Sequence, residues 1–159
     1  MNLIDRIFRL EEINGGNRCP TYLYRWTIFQ PRWARKFWRG FGIYVHRFVG
    51  DDWSRDLHDH PKRFISIGLK GSYVEWTPPA EGEHLQRMDI YRAPWIRTFP
   101  ATHIHRITLR EDRKPCWTLV IVLRSVREWG FWHAGLFIPW KDYVRGSASA
   151  IADKMRACL

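Results

Sequence analysis

From Tyr22 onward the chain is a succession of short apolar runs, rich in aromatic and β-branched residues and interleaved with polar ones. Six of them, at 22–29, 43–49, 64–69, 73–76, 103–109 and 117–123, predict β-strands, because such side chains pack well on a pleated surface. The segments Gly50-Asp51-Asp52, Lys70-Gly71-Ser72, Thr77-Pro78-Pro79 and Glu111-Asp112-Arg113-Lys114-Pro115 divide them. Each contains a residue that breaks strand pairing or favours a turn. The rhythm changes at both ends. Leu3, Ile4, Ile7, Phe8 and Leu10 recur at helical spacing, which predicts a short amphipathic helix over 2–12 stopped by Asn14-Gly15-Gly16. Ser147 is placed to cap a second helix running through Ile151, Met155 and Ala157.

Many short strands with no long helical segment between them exclude a βαβ arrangement and predict an all-β fold, a closed barrel or a sandwich. An immunoglobulin-like sandwich would show the same rhythm. The length of 159 residues fits one domain spanning 1–159, with the barrel core at about 42–125. Ten tryptophans suit the core and rim of a small barrel, since each buries a large ring but needs a partner for its N–H. Cys19, Cys116 and Cys158 are an odd number without CxxC spacing, which argues against a disulfide framework and a thiolate zinc site. Asp5 and Arg6 interrupt any signal-like apolar run, and the stretch around Leu119–Leu123 is too short to cross a bilayer. The expectation is a cytoplasmic protein without a membrane partner.

Charge narrows the picture locally. No Asp or Glu occurs between Glu12 and Asp51, a stretch that carries seven of the net ten positive charges. Within it Arg32, Arg35 and Lys36 interleave with Trp33, the ingredients of a base-stacking platform with phosphate contacts. Its plainer reading is a solvated connection whose aromatics pack on the barrel.

The candidate chemistry lies in the histidines. His58 and His60 stand at i and i+2, so on a strand both imidazoles point to one face while Asp59 points away. A third ligand must come from another strand, and His103-Ile104-His105 offers two. Imidazole suits iron, nickel and zinc, and three protein ligands with open positions form a catalytic rather than a closed structural site. His46, His84 and His133 have no partner spacing and read as ordinary histidines.

The segment His58-Asp59-His60 followed by Gly71 resembles the first motif of the cupin superfamily, HxH, then Glu, then Gly; here the Glu position falls on Phe64 or Ile65. Pro100-Ala101-Thr102-His103-Ile104-His105 is similar to the second motif, PxGxxH, with Thr102 in place of its Gly. The order of His58–Pro61, His105–Ile107, Trp117–Leu119 and Trp129–Phe131 also resembles small cupin-like proteins of phages and prophages. The resemblance implies a double-stranded β-helix (jelly-roll) barrel with short N- and C-terminal helices, holding a divalent transition metal (Fe, Ni or Zn).

On that reading His58, His60 and His105 are the expected metal ligands, with His103 and Glu75 as lesser candidates. Without the family's glutamate, three neutral imidazoles leave the full metal charge to attract an anionic or chelating small molecule. Arg63, Arg97, Arg106 and Tyr73, near the histidine segments, are the expected ligand-binding residues. Oxidation of that molecule by dioxygen at Fe(II) is the most specific activity this implies; an isomerase or a non-catalytic sensor would use the same scaffold. The alternative function is a basic nucleic-acid-binding module through Arg32, Arg35, Lys36 and Trp33, or an assembly protein forming a homodimer.

Overall fold

The computed structural model describes residues 8–14, 20–30 and 40–145. In chain order its strands are β1 (Arg9–Ile13), β2 (Leu23–Phe29), β3 (Gly42–Phe48), β4 (Leu57–His58), β5 (Lys62–Lys70), β6 (Ser72–Thr77), β7 (Arg87–Arg92), β8 (Trp95–Phe99), β9 (Arg106–Thr108), β10 (Cys116–Ser125), β11 (Gly130–His133) and β12 (Leu136–Pro139), followed by helix α1 (Trp140–Arg145). The first layer is a six-stranded sheet in the order β1-β2-β3-β10-β5-β8. The second consists of two three-stranded sheets, β12-β11-β4 and β7-β6-β9. A backbone bridge joins these two: His58 N–H donates to His105 O at 2.8 Å, and His105 N–H donates to His58 O at 2.9 Å. The pairings within the sheets are antiparallel.

One end of the interior is a compact core. Leu23 and Phe48 from the first sheet meet Tyr73, Ile107 and Leu109 from the second, with Cys116 fully buried among them. Each such apolar side chain contributes about 1.5–3 kcal/mol on burial. Period-two alternation selects these residues: in β3, Gly42, Tyr44 and Phe48 are buried, while Ile43, Val45 and Arg47 are partly exposed on the opposite face. The outer face is also apolar, since Leu10, Trp26, Val45, Leu119, Ile67 and Ile96 are successive cross-strand partners over all six strands. Gly68 is small for a steric reason, because a Cβ there would collide with the Trp95 ring. Gly71 turns the chain from β5 into β6 with φ +84°, a conformation that L side chains rarely adopt.

Three carboxylates steer the chain between layers. After β3, Asp51 Oδ1 accepts from Leu109 N–H and Asp52 Oδ2 accepts from Ile107 N–H, both at 2.7 Å, so the turn is fastened to β9. Asp59 is fully buried, with Oδ1 accepting from Gly130 N–H at 2.9 Å and Oδ2 from Arg127 at 2.5 Å. It holds the His-Asp-His segment against β11. Helix α1 packs Tyr143 on Phe131 at 4.0 Å between ring centroids.

Several sequence expectations change. Residues 9–13 form an edge strand and not the end of a helix, because Leu10 and Ile13 find register partners in Trp26 and Leu23. The helical spacing there was too short to compete with pairing. The barrel extends beyond 42–125, with β1 and β2 before it and β11 and β12 after it. The expected C-terminal helix from Ser147 lies outside the described residues, as do Arg32, Trp33, Arg35 and Lys36. Among the described residues no helix is long and apolar enough to cross a membrane.

Replacement of Asp59 by Ala removes the acceptor for a buried N–H and strands Arg127, and we expect a loss of about 2–4 kcal/mol. Chemical denaturation of the two proteins measures it; a loss below about 0.5 kcal/mol, the usual scatter for surface substitutions, would show that Asp59 is not an anchor.

Candidate metal centre

The His58–His105 bridge does more than join sheets. Residues directly opposite in an antiparallel pair project their side chains to the same face, so the bridge places both imidazoles on one wall of the interior. Their ring centroids are 5.2 Å apart. His60, just past β4, turns its ring to the same point, 5.1 Å from His58 and 4.9 Å from His105. His60 Nε2 lies 2.8 Å from His105 Nε2, and one ring nitrogen from each of the three lies within 4.8 Å of the others. Metal–nitrogen bonds of about 2.0–2.1 Å place ligand nitrogens at comparable separations, so the donor set fits a divalent transition metal.

A carboxylate backs this triad. Glu75 on β6 is 1% exposed, and its Oε1 accepts from His105 Nδ1 at 2.7 Å and from His103 Nε2 at 3.0 Å. Its Oε2 accepts from Arg97 at 2.6 Å, and Arg97 also donates to Tyr73 Oη at 3.0 Å. A proton held on His105 Nδ1 leaves the Nε2 lone pair facing His60, the tautomer that a metal requires. Glu75 and His103 also form, with His105, a second group whose ligand atoms lie within 4.8 Å of one another, so both remain able to contribute to a metal site that shares His105. Burial alone would raise the Glu75 pKa, but the hydrogen bonds from His103, His105 and Arg97 outweigh it and hold the carboxyl well below its usual range.

The imidazoles are held neutral. Burial, followed by the neighbouring His105 and His103, pushes His58 down to about 3. Burial and the other three histidines press His60 well below its ordinary value. Burial lowers His105 too, with Glu75 opposing. Behind His58, Asp52 Oδ2 lies 3.9 Å from Nδ1, and burial, offset by the Ile107 hydrogen bond, raises Asp52 to about 7.

The triad opens on a cavity of about 380 Å³ between the layers. Tyr44, Phe48, Phe64, Tyr73, Phe99 and Trp129 give it a largely aromatic wall. Phe64 stands where the cupin motif carries glutamate, its ring 4.8 Å from that of His60 and edge-on to it. Ile65 pairs with Ile121 and Thr98 on the outer face, so of the two positions it is Phe64 that faces the cavity.

No family model matches the sequence, and no curated protein matches it. Solved structures do. Fe(II)-HppE with the alternative substrate (S)-1-HPP is similar over 77% of this chain and 58% of its own, at 10% identity and a TM-score of 0.54. The polyketide cyclase RemF of Streptomyces resistomycificus is similar over 100% and 98%, at 13% identity and TM-score 0.52. An oxalate decarboxylase variant of Bacillus subtilis is similar over 96% and 35%, at 14% identity and TM-score 0.53. The chain has the cupin fold. The immunoglobulin-like alternative is thereby set aside. The cupin comparison gives architecture only, and this chain spans little more than half of HppE.

Within the cupin barrel the ligand-binding expectation is redrawn. Tyr73 lines the cavity, but Arg97 is engaged by Glu75, Arg63 is exposed, and Arg106 stacks over Trp76 at 5.4 Å; none of these three arginines lines it. The cations that do are Arg25 and Lys62, and His46 lies with them. His46 shares the inward alternation of Tyr44 and Phe48, a signal present in the sequence. Arg25 lies inward only because β2 pairs with β3 in the register that sets Arg25 against His46.

The neutral imidazoles fix the sign of an acid response. An imidazole whose folded pKa is depressed takes up its proton at about 6.5 when unfolded, so its stabilising contribution is complete above that pH and is lost as pH falls towards the folded value. His46, His58, His60 and His105 act in this sense, while Asp52, raised to about 7, gains stability over the same window. Unfolding of the metal-free protein below pH 6.5 therefore takes up protons at these histidines, each worth up to about 1.4 kcal/mol per pH unit, and releases one at Asp52, so the net slope lowers stability in acid. Thermal melts should fall steeply from pH 6.5 downward, and a flat profile would contradict the buried neutral assignment.

Proposed function

We propose that the protein binds a divalent transition metal through His58, His60 and His105 and presents it to a small anionic molecule in the barrel. The observation that carries this reading is the convergence of three ring nitrogens within 4.8 Å on the cavity wall, with the Glu75 carboxylate fixing the tautomer of one of them. Three neutral donors leave the charge of a divalent ion uncompensated, which favours an anionic chelator in the remaining positions. Two of the similar structures, Fe(II)-HppE and oxalate decarboxylase, belong to enzymes named for small acids or for iron, which makes a small acid the first class to test.

The metal, when bound, supplies Lewis acidity and, if it is iron, redox chemistry with dioxygen. The chain supplies the rest. His103 and Arg97 hold Glu75 in place, with Arg97 also bonded to Tyr73, so the carboxylate that pairs with His105 is fixed. The aromatic rings beside the triad, including Phe64 and Phe99 stacked at 4.5 Å, lower the local polarity there, which strengthens charge interactions at the histidines. We assign metal-dependent transformation of a small acid, with oxidation by dioxygen as the leading reaction, to this arrangement.

Elemental analysis of protein purified without chelators tests the reading. Wild type should carry about one equivalent of metal, and H58A, H60A and H105A should lose it while retaining the β-sheet circular dichroism spectrum. Glu75→Gln should retain the site but bind metal about 10–100-fold more weakly, as loss of a carboxylate partner of a ligating histidine does. Absence of metal after reconstitution with iron, nickel and zinc would overturn the reading.

A further inference from the structure

A barrel interior without a polar ligand is expected to be apolar, yet the inner face of the first sheet carries a polar row. Arg25 on β2, His46 on β3 and Thr118 on β10 are successive cross-strand partners, and all three line the cavity. They face it from the first layer, whereas His58, His60 and His105 face it from the second. Thr118 is 1% exposed, and its Oγ1 has no hydrogen-bond partner among the described residues. A buried hydroxyl left so costs about 1–3 kcal/mol, which selection tolerates where a ligand supplies the partner.

The charges point the same way. Arg25 Nε donates to His46 Nε2 at 3.1 Å, and its nearest carboxylate oxygen, on Glu11, is 3.8 Å from Nη1. Glu11 is itself engaged by Arg9 at 2.7 Å. Lys62 also lines the cavity; its Nζ donates to Gly40 O at 2.8 Å and has no carboxylate partner among the described residues. Asp52 is the one acidic residue among those that line the cavity, and Ile107 N–H holds it. Glu11 is the cross-strand partner of Arg25 and the acidic end of the row, but at 3.8 Å and shared with Arg9 it leaves the row incompletely satisfied.

We propose that Arg25, His46 and Thr118, with Lys62, form a subsite for an oxyanion on the end of the ligand remote from the metal, so that the ligand is a short molecule bearing a metal-chelating group at one end and a carboxylate or phosphate-type group at the other. This rests on the reading of the cavity as a ligand site. Arg25 and Lys62 supply charge-assisted hydrogen bonds, Thr118 donates its free hydroxyl, and neutral His46 holds the Arg25 side chain across the row.

Calorimetric titration of wild type and variants with succinate and with inorganic phosphate tests it, beside elemental analysis of each protein. Arg25→Gln and Lys62→Met should each weaken binding of the preferred probe by about tenfold or more, with metal content unchanged. Thr118→Val, which removes the orphaned hydroxyl without changing shape, should weaken it by about threefold to tenfold while the melting temperature stays level or rises. Stronger binding of phosphate than of succinate assigns a phosphate-type group, and the reverse assigns a carboxylate. If wild type takes up no metal but R25Q still weakens phosphate binding, the subsite stands and the metal reading fails. If the variants bind both probes as wild type does, or wild type binds neither saturably, the subsite is overturned whatever the metal content.

Discussion

The backbone bridge between His58 and His105 is the constraint on which the rest depends. Two hydrogen bonds, of 2.8 and 2.9 Å, turn two three-stranded sheets into one layer able to face the six-stranded sheet. The same bonds fix the two imidazoles on one wall, because antiparallel partners share a face. Architecture and candidate chemistry therefore rest on a single pair of residues. Asp59, between the two histidines of the motif, supplies the anchor: it is buried against Gly130 and Arg127, so the segment cannot rotate about its own axis without exposing a charge to the core.

From that bridge the polar interior extends outward in layers. His105 leads to Glu75, and Glu75 to Arg97 and His103, so each group in the chain of hydrogen bonds holds the next. Such a network is favourable only when its members are satisfied, and here the carboxylate accepts from three donors. The opposite wall is the contrast. Arg25, His46 and Thr118 stand on the inner face of a sheet whose outer face is apolar, a reversal of the usual inside-out order. That burial would be costly in a closed core, and it is the feature from which the oxyanion subsite is proposed.

Much of this was legible in sequence. Period-two alternation and the turn clusters located the strands at the centre of the chain, and the i, i+2 histidines with a distant third pointed to one face. The cupin likeness of those segments matched the fold. The strands at 87–92 and 95–99 were not foreseen, since Pro94 interrupts them and much of their surface is exposed. The strand at 9–13 was read as helix because five residues fit either period, and only pairing with β2 separates the two.

The sequence by itself determined an all-β domain and the ligand-capable histidines, because alternation and residue chemistry are local properties. Tertiary structure alone decided which residues share a wall. Glu75 and His105 are thirty positions apart and bonded at 2.7 Å. Arg25 reaches the cavity through a register that places it against His46, while Arg97, nearer the histidines in sequence, spends its charge on Glu75. Strand order and register are set by the packing of whole faces, and no short segment carries that information.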